Sequence, residues 1–162
     1  MRMIYLTGMR LTLIYIFLVI LGSSCKKDPF PVNSGYYFQM RIDGKATTFA
    51  ECGLWSGGGQ FDCTKGYDNS LTIYAGCGDI AFLYLRRHSE DGTYLLSDSN
   101  NAGFWRYPKQ FITNARDTGY LTIKKVMFGN IPSMQGTFQY NARDTSGTIV
   151  RVTEGSFLME LY

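Results

Sequence analysis

The one histidine of the chain, His88, lies in Arg86-Arg87-His88-Ser89-Glu90-Asp91-Gly92, where an imidazole beside Glu90 or Asp91 could act as a general base. No serine or cysteine of a nucleophile elbow accompanies it, and so charged a run is what a solvated turn between strands needs. The aspartates at 43, 79, 91, 98, 117 and 144 also fall in turn-like contexts, where the side chain bonds neighbouring backbone amides. Asp98-Ser99-Asn100-Asn101 sets oxygen ligands in a row, yet Ala102 breaks the series and no glutamate closes it, so the calcium-loop pattern fails. Gly57-Gly58-Gly59 runs into Gln60 and Phe61 without the Lys-Ser/Thr pair of a phosphate loop. Cys52, Cys63 and Cys77 are too widely spaced for a close Cys-x-x-Cys metal pair. A hydrolase would need His88 or an acidic pair to converge with a nucleophile; the residues predict no enzyme, no cofactor and no metal.

The better ligand candidates are aromatic. Trp55 stands in a glycine-rich stretch, and Trp105 stands next to Arg106 and Tyr107, so exposed rings there could stack on sugar faces. With 25 of 162 residues Phe, Tyr or Trp, most aromatics must build the core. Trp55, Trp105 and Tyr107 are therefore the predicted contacts to a glycan or another envelope protein.

The N-terminus has the order of a signal peptide. Arg2 and Arg10 are its positive residues, Leu11 to Leu21 is an uncharged apolar run, and Gly22-Ser23-Ser24 are small residues ahead of Cys25. The uncharged stretch from Leu11 to Ser24 is shorter than the roughly 18 residues of a spanning helix. Met1 and Met9 both remain admissible starts, with the same mature chain.

Leu21-Gly22-Ser23-Ser24-Cys25-Lys26-Lys27-Asp28 resembles the lipoprotein signals of Gram-negative bacteria, those of Bacteroidetes-type lipoproteins in particular. It departs from the usual pattern in having Gly22, not leucine, three residues before the cysteine. The resemblance implies cleavage before Cys25, acylation of its thiol and new amino group, and display on the outer membrane, on its periplasmic or its outer face. Lys26 gives no inner-membrane retention signal of the enterobacterial kind. Two or three acyl chains hold a protein at a membrane stably, whereas one does not.

The organisation expected is a cleaved signal helix at 1–24, a lipidated tether at 25–35 carrying Pro29 and Pro31, and a single domain at 36–162. Removing the leader takes away two arginines and no acid, so 16 basic residues become 14 against 13 acidic ones. A chain that near neutrality offers no basic stripe for nucleic acid. With Cys25 lipidated, three cysteines remain. Cys52 with Cys63 is the expected disulfide and Cys77 the alternative partner, while three unpaired buried thiols are the simpler possibility.

The rest of the sequence reads as short strands. Tyr36, Phe38, Met40 and Ile42 alternate with Tyr37, Gln39 and Arg41, and Asp43-Gly44 offers a type I′ turn into 45–49. Further strands are expected near 60–63, at 71–75 and 80–86 around a turn at 76–79, and at 93–96. Ser97 to Gly103 reads as a turn cluster before Phe104-Trp105-Arg106-Tyr107, and a strand follows at 120–128 with an irregularity. The end reads as strands at 137–143, 148–152 and 156–162, with turns at 144–147 and at Glu154-Gly155. No long helical periodicity occurs after the leader. The fold class expected is all-β, an antiparallel sandwich or partly open barrel of about ten strands.

Residues 38–45, 92–95, 119–125, 136–138 and 152–157 also resemble a group of small Bacteroidetes-type lipoproteins whose domain has no assigned function. That resemblance implies fold and location, a structural or interaction role, and no catalytic residue.

Overall fold

Period-two alternation produces the first hairpin, β1 (Tyr37–Ile42) and β2 (Lys45–Phe49). Asp43 and Gly44 between them take φ of 49° and 85°, the two positive values that a type I′ turn requires. The computed structural model describes residues 35–49, 61–77, 79–87 and 90–161. Within them follow β3 (Phe61–Lys65), β4 (Leu71–Cys77), β5 (Asp79–Leu85), β6 (Gly92–Leu96), β7 (Asn101–Arg106), β8 (Lys109–Ile112), β9 (Gly119–Phe128), β10 (Ile131–Arg143) and β11 (Ile149–Glu160). The described residues are thus all-β, with every strand pairing antiparallel.

The strands join in the order β2-β1-β11-β10-β8-β7-β5-β4-β3, and β9 and β6 branch off β10. Residues 131–140 of β10 pair with β9 while Arg143 pairs with Ile112 of β8, so the sheet forks along one strand. Its ends curl toward each other: β3 comes within 8 Å of β11, and β2 within 8 Å of β4, Cα to Cα. Of the two architectures expected, a partly open barrel describes this continuous curled sheet. Its inside holds one core, in which Phe38, Phe104, Phe157, Leu83, Leu121 and Met134 are fully buried. Each such side chain contributes about 1.5–3 kcal/mol by leaving water.

Two cross-strand pairs organise the centre. Gly136 faces Phe157 and Phe138 faces Gly155 across the β10–β11 ladder. Both rings lie where a Cβ on the opposite glycine would stand, at 2.5 and 2.4 Å. The absent side chains let the rings fold flat onto the backbone and meet Phe38, whose centroid is 5.0 Å from Phe138 and 6.1 Å from Phe157.

Several expected boundaries change. Glu154-Gly155 is a bulge inside one long strand instead of a turn between two. The register on β10 passes from Phe138↔Gly155 to Tyr140↔Val152, leaving Thr153 and Glu154 opposite Gln139 alone. Glu154 takes φ 51°, and its carboxylate accepts Nε–H of Arg41 at 2.8 Å. That partner explains why Arg41, expected on the outer face, is only 4% exposed. Asn101, Ala102 and Gly103 belong to β7 and not to a turn, because they pair with Tyr84, Leu83 and Phe82. The β4–β5 ladder likewise closes through to Cys77↔Asp79, leaving no four-residue turn at 76–79. β9 runs ten residues in unbroken register with β10. β8 was not expected at all, its four residues being too few to show alternation.

A glycine replaced by alanine at an unstrained position usually gains about 0.4–1 kcal/mol through the unfolded chain. Gly136→Ala is predicted to do the reverse, since its methyl would meet the Phe157 ring and the Thr122 carbonyl at 2.5 Å. A loss of about 1–3 kcal/mol is expected. Urea unfolding should show it as a lower midpoint with an unchanged m-value.

Candidate functional site

β7 and β8 form a hairpin whose last pair is Arg106↔Lys109, with Tyr107-Pro108, a cis peptide, as its two-residue turn. Alternation along β7 buries Phe104 and leaves Trp105 43% exposed; Tyr107 at the turn is 85% exposed. Trp105 faces Ile80 of β5 on one side and Gln110 of β8 on the other. The structure therefore places Trp105, near the end of β7, and Tyr107, in the turn, at one hairpin tip. Trp55 lies outside the described residues.

Two ion pairs fix this tip. Arg106 donates Nε–H to Asp79 Oδ2 at 2.9 Å, and its guanidinium carbon lies 5.1 Å from the centre of the Phe104 ring. The Asp79 hydrogen bond holds the guanidinium pKa above its ordinary value. Lys109 Nζ stands 3.6 Å from Oδ2 of the buried Asp144. The sequence shows neither link, because Asp79 at the start of β5 and Asp144 after β10 are far from the hairpin in the chain and no local pattern joins them to it.

Beneath the tip, Asp144 Oδ1 accepts the Ser146 and Thr148 amides at 2.9 and 2.8 Å and the Ser146 hydroxyl at 2.7 Å. The Ser146 hydroxyl, then the Thr148 amide and the Lys109 charge, hold its carboxyl below the usual range against the opposing effect of burial. Arg143 grips Asp117 with Nε–H on Oδ2 at 2.7 Å and Nη2–H on Oδ1 at 3.2 Å, and Asn114 Nδ2 donates to Oδ2 at 3.0 Å. Arg143 first and Asn114 second lower the Asp117 pKa in the same way. Tyr140 donates its hydroxyl to the Gly103 carbonyl at 3.1 Å, and burial pushes its pKa up.

The other sequence candidates divide by position. Cys25, Cys52 and His88 lie outside the described residues. Cys63 pairs with Ile73, so it stands four positions from Cys77 along the β3–β4 ladder. Four positions span about 13 Å, more than the Cα separation of a disulfide. Asp98 Oδ1 accepts the Ala115 amide, Asn100 Oδ1 the Arg86 amide, and Asn100 Nδ2 donates to the Leu95 carbonyl. These are turn-holding bonds. Among the described residues no three His, Cys, Asp or Glu side chains gather as a metal site would need.

Residues 53–159 match the model of a family described as a domain of unknown function, DUF6252. No curated protein and no solved structure matches the chain.

The lowered carboxyls of Asp117 and Asp144 imply a pH dependence of stability. A carboxyl whose folded pKa lies below its unfolded value stabilises the fold above the unfolded value, and that contribution is lost as pH falls through the folded one. Asp117→Asn is therefore expected to be less stable than the parent at neutral pH. Its urea midpoint should also fall less steeply than the parent's between about pH 5 and pH 2. Parallel midpoints of the two proteins across that range would contradict the assignment.

Proposed function

Because the chain belongs to the DUF6252 family, whose description assigns no function, we propose a role from its own residues: a non-catalytic domain, held on the outer membrane by lipid on Cys25, with a structural or interaction role in the envelope. One observation supports this reading above the others, the division of the fold into two ends. Tyr36 enters the sheet with its ring 5.3 Å from Phe128 and its hydroxyl 3.3 Å from Ser133 Oγ. The Trp105–Tyr107 tip lies at the opposite end, beside the β10–β11 turn that holds Asp144. A tether joined at Tyr36 thus enters at one end and leaves the aromatic tip at the other, facing whatever the envelope offers.

The exposed rings favour a second reading, a carbohydrate-binding accessory domain. Trp105 and Tyr107 offer flat apolar faces, and Arg106, Lys109 and Gln110 beside them are polar groups suited to sugar hydroxyls. Trp55, outside the described residues, is the third candidate ring of this reading.

Intact mass of protein extracted from membranes tests the anchor. A chain beginning at Cys25 with added acyl mass is expected, and a mature chain from Cys25 without it would refute lipidation. The glycan reading predicts binding on a polysaccharide panel that weakens at least about tenfold in the double variant Trp105→Ala/Tyr107→Ala, the loss of about one stacked ring's contribution. Equal binding by the parent and the variant would remove these two residues from the site.

A further inference from the structure

At the end where the tether enters, β9 and β10 outrun the rest of the sheet. β6 accompanies β9 only as far as Ile123; β11 pairs with β10 from Ser133 onward, and the Leu161 amide just past it still donates to the Pro132 carbonyl at 3.0 Å. The ladder nevertheless continues to Phe128↔Ile131, where Gly129 at φ 60° begins a two-residue turn. The result is a two-stranded finger beyond the rim. Its surface is apolar: Met127 is 63% exposed, Phe128 39% and Ile131 41%, and Pro132 is exposed beside them. A hairpin tip at the rim needs no such exposed residues for its own stability, and water disfavours them there. Lys124 and Lys125, both exposed, follow directly behind, with Asp91 holding the Lys125 amide.

Tyr36 packs on this finger, so the chain leading back to Cys25 starts from it. Nine residues separate Cys25 from Gly35, and the ten Cα-to-Cα steps reach about 35 Å at most when fully extended. The finger is thus the folded element that the tether leaves from. We propose that its tip is a second membrane contact, in which Met127, Phe128 and Ile131 enter the interfacial layer of the leaflet while Lys124 and Lys125 extend to lipid phosphates. This rests on the reading of Cys25 as the lipid anchor. It makes the domain stand on the membrane at a defined end, where a tether alone would let it tumble.

The test uses the full lipidated protein reconstituted in phosphatidylcholine–phosphatidylglycerol vesicles, with plain or brominated acyl chains. Met127→Trp and Ile131→Trp place reporters on the finger, and Ile149→Trp places one at the far end of β11; the parent's emission is subtracted from each. Bromine is expected to cut the added signal of both finger reporters about twofold or more, as for rings lying 5–10 Å into the interface, and to leave the Ile149→Trp signal unchanged. Flotation with the vesicles without quenching at either finger reporter overturns the finger contact and spares the anchor. Failure to float overturns the anchor and the contact with it. A blue shift that follows protein density and ignores bromine assigns the tip to a second copy of the chain and also overturns the proposal.

Discussion

The close approach of two phenyl rings to two glycines holds the architecture together. Phe157 over Gly136 and Phe138 over Gly155 pin the β10–β11 ladder in its register as far as the bulge. A shift by one residue would turn both rings to the outside and set side chains against each other where the backbone is now bare. Because Phe38 completes the cluster, the same contact ties the first strand to the last two, and the N-terminal hairpin has a fixed place against β11. The β6–β9 branch and the β8–β7–β5 series both grow from β10, so their placement depends on this register too.

The bulge at Glu154 is the second constraint, and it works on the strands to either side. β11 gains a residue against β1 as well as against β10, which sharpens the local twist where the sheet must curl. The cost is a non-glycine residue at positive φ and an arginine taken almost wholly out of water. Each offsets the other: the backbone at Glu154 aims its carboxylate at Arg41, and Arg41 also donates Nη1–H to the Gly44 carbonyl at 3.3 Å. A single guanidinium therefore joins the first turn of the fold to its principal bulge.

Much of this could be read from residue order, and what could not has a physical reason. Alternation reports which face of a strand meets the core, so β1, the Asp43-Gly44 turn and β5 were legible. It says nothing of which strand lies alongside, and the pairing of β1 with β11 or the fork at β10 has no local signature. Glu154-Gly155 carries the composition of a turn because a bulge and a turn ask the same thing of the backbone, a residue at positive φ; only the partner strands distinguish them. For the candidate site, Trp105 and Tyr107 were evident as aromatics beside a proline, whereas Asp79 and Asp144, which steady their hairpin, are joined to it only by folding. The apolar run at Met127-Phe128 reads as an ordinary end of a strand until its neighbours are seen to stop short.

The strand order has an arithmetic consequence. Of the described strands, nine lie on the main path, and each runs opposite to the next, so the first and last, β2 and β3, point the same way. An antiparallel sheet closes on itself only with an even number of strands, so this odd path could be sealed only by a parallel pairing of β2 with β3. The two are consecutive in sequence and separated by residues 50–60 alone, about the shortest connection that parallel neighbours permit. Parity thus sets the kind of pairing the seam could take, and adding or removing one strand on that path would change it from parallel to antiparallel.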